Sequence, residues 1–149
     1  MTKGVEKVEN VNKNHIILGL FEFDYHPDII SSKLDLKPLK IGVKGEKYFV
    51  GHKKQVTKTH EYNFWTFEHK NVLNQYIGDF IGKFIDEIII SRLDTIKNIS
   101  QDGKVQLRIV QYFYNGCNPG IYLKREYIKI LSEINCSIDI DLYCLNEKE

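Results

Sequence analysis

The segment from His15 to Tyr25, HIILGLFEFDY, is apolar on both faces of an extended chain. Ile16, Leu18 and Leu20 point one way; Ile17, Gly19, Phe21 and Phe23 point the other. A strand at the margin of a sheet has no use for two apolar faces, so this strand is predicted to lie inside one. Glu22 and Asp24 come only at its end. Any fold for this chain must therefore supply neighbours on both sides of its first strand.

The remaining elements follow from period and punctuation. Pro27 and Asp28 suit the first turn of a short helix that turns Ile30 and Leu34 inward and stops at Pro38. Lys40 to Val50 reads as a strand with a turn at Gly42–Gly45, and the basic stretch Gly51 to Thr59 reads as a loop. Glu61 to Lys70 reads as a strand, rich in aromatic and β-branched residues at Tyr62, Phe64, Trp65, Thr66 and Phe67. Leu73, Ile77, Phe80, Phe84 and Ile88 share one helical stripe, and Leu93, Ile96 and Ile99 form a second. The stripe shifts near Ile89–Arg92, which predicts two helices, with one long helix as the alternative. Lys104 to Tyr114 alternates as a strand, the run Gly116-Cys-Asn-Pro-Gly120 turns the chain, and Glu126 to Ile134 is helical with Ile130 and Ile134 on one stripe. Cys136 to Leu145 closes as a strand, with Ile138, Ile140 and Leu142 expected to be buried and Ser137, Asp139, Asp141 and Tyr143 facing away.

This order predicts an α+β fold: a ferredoxin-like βαββαβ core with an appended αβ unit, its sheet mainly antiparallel and its helices packed on one face. The other face is then open, or partly covered by the Lys40–Thr59 region. A chain of 149 residues can bury a core without disulfides, and one domain over residues 15–149, preceded by a polar, flexible arm over 1–14, is the expected organisation.

Charge and cysteine usage narrow the function classes. The net charge of +1 lacks the global signature of a nucleic-acid binder, although Lys37, Lys40, Lys44, Lys47, Lys53, Lys54 and Lys58 share their stretch with one acid, Glu46. Asp139, Asp141, Glu147 and Glu149 load the other end with acid, against Lys148. Three cysteines, Cys117, Cys136 and Cys144, form no C-x-x-C, which favours reduced structural thiols in a cytoplasmic protein. No apolar leader follows the start, and the stretch Ile77–Ile90 is interrupted by Asp79, Lys83, Asp86 and Glu87, so no membrane span is expected. Lysine well above arginine, abundant isoleucine and no alanine suggest an AT-rich bacterial or phage genome.

Several motifs resemble one known family. Phe23-Asp-Tyr-His-Pro-Asp-Ile-Ile-Ser-Ser-Lys-Leu-Asp-Leu-Lys-Pro38 is similar to its strand and short helix, and Gly42-Val-Lys-Gly45 to its basic, glycine-containing element. Trp65 within Asn63-Phe-Trp-Thr-Phe67 resembles its tryptophan strand. Asn118-Pro-Gly-Ile-Tyr-Leu123 and Ser137-Ile-Asp-Ile-Asp-Leu-Tyr143 resemble its closing turn and strand. The family is the bacterial domain DUF4279, and the resemblance runs from about Ile16 to Leu145. It implies a small α+β fold and no particular activity. One departure stands out: Lys124-Arg125 occupy the place of a small residue that caps the following helix.

Candidate chemistry is sparse. Gly42-x-x-Gly45 has neither phosphate-loop spacing. His52, His60 and His69, with Glu61 and Glu68, match no standard metal pattern and read as loop and strand-end residues; no metal and no cofactor are expected. Asp139 and Asp141 share a strand face, about 7 Å apart, and could in principle serve hydrolysis. Arg108 and Tyr112 on the neighbouring strand favour a cross-strand ion pair instead. There is no nucleophile elbow, and Cys117 lacks a histidine close in sequence. Lys44-Gly-Glu-Lys-Tyr-Phe-Val50 begins like an RNA-recognition strand but has Glu46 where an aromatic must stack.

The leading expectation is a non-enzymatic protein-binding module, concretely an immunity-type protein that masks a toxin or other partner. Its candidate interface residues are Lys44, Lys53, Lys54, Trp65, Arg108, Tyr112, Asp139, Asp141 and Tyr143. The alternatives are a small-molecule or nucleotide-binding regulatory domain using the open sheet face, and an enzyme centred on Asp139, Asp141 and Arg108. Nucleic acid and membrane are not expected as partners; the oligomeric state stays open.

Overall fold

The computed structural model describes residues 13–70, 75–114, 116 and 118–145. The expected arm over 1–14 therefore falls mostly outside the described residues, as do Leu73, Cys117, Glu147, Lys148 and Glu149. Lys13 and Asn14, assigned to that arm, belong instead to the first strand β1 (Lys13–Phe21), where they pair with Tyr112 and Gln111.

The chain is α+β. After β1 come helix α1 (Asp28–Leu34), strand β2 (Lys40–Gly42), the hairpin β3 (Lys47–Val50) and β4 (Val56–Thr59), and strand β5 (Phe64–Lys70). A helical run then comprises α2 (Ile77–Phe84), a wide π-turn (Ile85–Ile89), a tight 3-10 turn (Ile90–Arg92) and α3 (Leu93–Asp102). Strand β6 (Lys104–Tyr114), helix α4 (Arg125–Glu133) and strand β7 (Cys136–Leu145) complete it. One sheet has the order β2-β5-β1-β6-β7, and β3 and β4 form a separate two-stranded sheet. β1 pairs antiparallel with β5 and β6, and β2 pairs antiparallel with β5. β6 and β7 are parallel, so the sheet is mixed.

The central place of β1 follows from its two apolar faces, which are used unequally. Ile16, Leu18 and Leu20 are fully buried against the helices, whereas Ile17 and Phe21 are only half-buried on the other side. The core lies between the first face and Ile30 and Leu34 of α1, Phe80 and Phe84 of α2, Ile96 of α3 and Leu131 of α4. Trp65 sits in it, and its indole N–H donates to Ser31 Oγ of α1 at 2.9 Å. α1 ends at Asp35, whose left-handed backbone (φ 50°) returns an N–H to Ser31, three residues before Pro38. Arg92 Nε donates to the end carbonyl of α1 at Leu34 (2.5 Å), and Arg92 Nη1 to the Ile88 carbonyl (3.1 Å). One side chain thus satisfies orphan carbonyls of two helices at the break in the long run.

Three further expectations need correction. Phe23, expected on the face away from Ile16, Leu18 and Leu20, lies past the end of β1 and is buried with them in the core. Gly51–Thr59 is not wholly a loop: Val56–Thr59 pairs with Lys47–Val50, because Val56, Thr57 and Thr59 are β-branched. Ile138, Ile140 and Leu142 are not buried: they are 39%, 43% and 48% exposed. They do lie on the helix side, opposite Leu107, Ile109 and Gln111. β7 is the last strand of the sheet, however, and α4, which touches it, leaves these side chains largely exposed.

The capping departure at α4 is visible. Lys124 stands at the cap with an extended backbone (φ −64°, ψ 146°) and makes no side-chain cap hydrogen bond. That conformation suits a capping carboxylate. Lys124→Asp should raise stability by about 1 kcal/mol, read as a rise in Tm of roughly 2–4 °C.

Candidate functional site

The register of the main sheet fixes what its face turned away from the helices presents. Reading across from β2 to β7, Lys40, Thr66, Gly19, Gln106 and Ser137 make one row. Glu68, Ile17, Arg108 and Asp139 make the next, and His15, Val110 and Asp141 lie beyond it. On the opposite side of the first row, Phe64 stands opposite Phe21. Since neighbouring strands are about 4.8 Å apart and alternate residues share a face, these side chains form a continuous surface.

That surface has a polar half and an aromatic half. In the polar half, Arg108 donates through Nε to Asp141 at 2.7 Å and through Nη2 to the same carboxylate. This hydrogen bond holds the Arg108 guanidinium above its ordinary pKa, so it carries its charge at any physiological pH. Arg108 thus reaches Asp141, although Asp139 stands directly opposite it. Asp139 makes no hydrogen bond or ion pair among the described residues, and it is exposed. Tyr112 and Tyr143 stack at 5.0 Å between ring centres. His15 Nδ1 meets Glu68 at 2.6 Å and its ring packs edge-on against Tyr112.

In the aromatic half, Phe21 and Tyr62 meet edge-to-face at 6.3 Å, and Lys40 Nζ lies 5.9 Å above the Phe64 ring. A cavity of about 540 Å³ is lined there by Ile17, Phe21, Phe64, Lys40, Gln106 and Arg108, among others.

The candidate interface residues do not form one site. Arg108, Tyr112, Asp139, Asp141 and Tyr143 come together on β6 and β7. Lys44, Lys53 and Lys54 sit around the β3–β4 hairpin, which extends from β2 at the opposite margin of the sheet. Lys44 donates its backbone N–H to Asn63 Oδ1 (2.8 Å), whose Nδ2 donates to the Phe23 carbonyl (2.8 Å). Asn63, quoted in the sequence only as part of the tryptophan motif, thereby pins the hairpin base to the chain just past β1. Lys54 turns the hairpin tip with φ 51°. Trp65 is fully buried and presents nothing to solvent. The stretch that begins like an RNA-recognition strand belongs to the hairpin and its turn, not to the main sheet.

The histidines are dispersed. His60 stacks on Tyr48 at 4.3 Å, and His69 on Phe80 at 5.4 Å. No group of three or more His, Cys, Asp or Glu placed to hold a metal occurs among the described residues. Burial pushes the Cys136 thiol up to about 12, which disfavours its thiolate at neutral pH. No helix among the described residues is long and apolar enough to cross a membrane.

A family model described as "Domain of unknown function (DUF4279)" matches residues 12–145. No curated protein and no solved structure matches the chain.

Proposed function

The chain belongs to the DUF4279 family, and we propose that it is a non-enzymatic protein-binding module of the bacterial cytoplasm that masks its partner, as an immunity-type protein does, along the outer edge of β7. One observation carries this reading: β7 is a ten-residue edge strand whose Ile138, Ile140 and Leu142 are 39–48% exposed. Unpaired backbone groups beside apolar side chains recruit another strand, and β7 has no proline and keeps its charges, Asp139 and Asp141, on the face away from these apolar residues. On the reverse face β7 offers Asp139 and Asp141. The fitting occupant is therefore an extended segment that alternates apolar and basic residues, with its cations over Asp139 and its apolar side chains on Ile140. The helix crossovers and the order β2-β5-β1-β6 support reading the first part of the chain as a ferredoxin-like core, to which α4 and β7 add this edge.

The test is affinity capture from the source organism, followed by hydrogen exchange on the purified complex. Slowed exchange of the β7 amides in the complex supports the proposal. A stoichiometric partner that leaves β7 exchange unchanged would sink it, as would a protein recovered without any partner.

A further inference from the structure

We infer that the aromatic half of the open sheet face is a binding site for a small, flat, aromatic anion, separate from the β7 edge. The floor is built for a ring. Gly19 and Gly42 lie beneath Phe21 and Phe64: a Cβ at Gly19 would collide with the Phe21 ring, and one at Gly42 with the Phe64 ring. The two glycines let both rings lie down on the sheet, leaving a shallow apolar trough with Ile17 beside them. Its volume of about 540 Å³ is within the usual range for small-ligand sites.

The electrostatics select the charge of the occupant. The lining contains two cations, Lys40 and Arg108, and no carboxylate. Thr66 and Gln106 add polar groups between them, in one row across the sheet. Arg108 is already neutralised by Asp141, so the charge of the occupant is set by Lys40: a neutral hydrocarbon would desolvate that ammonium without a counter-charge, and a cation would be repelled by it. A flat ring seated on Phe21 and Phe64, with its anionic group towards Lys40, satisfies both halves of the lining. A polynucleotide fits less well. Glu61 lies just beyond one end, beside Lys58 in an adjoining cavity that shares Lys40, Tyr62 and Phe64, and Asp139 and Asp141 lie beyond the other. The basic track is therefore too short for a strand of phosphates.

Aromatic carboxylates and nucleobase phosphates share this chemistry, and calorimetric titration of the full chain separates them. The probes are 2-naphthoate, adenosine monophosphate and, as a non-aromatic control, cyclohexanecarboxylate. At least one aromatic anion should bind, and the control should bind at least about tenfold more weakly. Naphthoate alone identifies an aromatic acid as the ligand type, the nucleotide alone a nucleobase phosphate, and binding of both establishes the shared recognition. Lys40→Glu, an exposed change, should weaken binding at least about tenfold. Gly19→Ala should do the same by driving the Phe21 ring up into the trough. If Gly19→Ala fails to fold, Lys40→Glu decides alone. No heat with either aromatic anion, equal affinity for the control, or a Lys40→Glu variant that binds like wild type overturns the inference. Lys40→Glu should leave partner capture by β7 intact, so failure here is distinct from failure there.

Discussion

Trp65→Ala should remove about 3–5 kcal/mol of stability, enough to lower Tm by roughly 10–15 °C or to leave the chain unfolded at 37 °C. Trp65 is fully buried between β1, where it stands opposite Leu20, and α1, where its N–H reaches Ser31. Truncation leaves the largest cavity that a single change can make here, and it strands the Ser31 hydroxyl. The neighbours cannot collapse into the gap, because β5 is held by β1 on one side and β2 on the other. Trp65→Phe retains most of the volume but loses part of the indole and its hydrogen bond, so it should cost about 1–2 kcal/mol. Urea titrations of both variants check the pair: the midpoint should fall in that order with the slope unchanged. Equal destabilisation by Ala and Phe would mean that the Ser31 hydrogen bond, not packing, dominates this position.

What the sequence disclosed and what it hid divide along a physical line. Local patterns were legible. Lys104–Tyr114 and Cys136–Leu145 alternate cleanly and appear with the expected bounds. The shift in the helical stripe at Ile89–Arg92 is the place where a π-turn gives way to a 3-10 turn before α3. The two helices join there without a loop, so neither a clean break nor one uniform helix describes the run. The motifs over Phe23–Pro38 and Ser137–Tyr143 pointed to the family that the match over residues 12–145 establishes. Val56–Thr59 was hidden because flanking lysines weigh against burial, and a solvated hairpin does not need burial. Alternation in β7 correctly put Ile138, Ile140 and Leu142 on one face. It could not say whether a helix would lie over that face, since coverage depends on the position of β7 at the sheet's end. The trough was hidden for a related reason. Phe21, Phe64, Lys40 and Arg108 come from four strands, and each reads alone as an ordinary strand residue. Only the register makes them neighbours.

Ile140→Lys should separate binding from folding. Ile140 is 43% exposed in the free protein, and a lysine there can keep its ammonium in water while its stem covers Ile109. The free variant should stay within about 0.5–1 kcal/mol of wild type, with an unchanged exchange pattern in β6. In the complex the same side chain would lie against the apolar side chains of the added strand on the same face of the sheet. The variant then loses about 1.5–3 kcal/mol of apolar burial and must also desolvate a charge. Together these should weaken partner binding by about 100-fold or more, mostly through faster dissociation. Asp139→Lys acts differently, because its carboxylate stays near the rim. It should slow association and steepen the loss of affinity at low salt, where long-range attraction to a basic segment is greatest. Surface plasmon resonance with the captured partner reads both rates. A slow on-rate in Asp139→Lys combined with a fast off-rate in Ile140→Lys is the pattern that strand addition at β7 requires. Wild-type rates in Ile140→Lys would place the partner elsewhere, with the lysine-rich hairpin at Lys53 and Lys54 as the next surface to reverse.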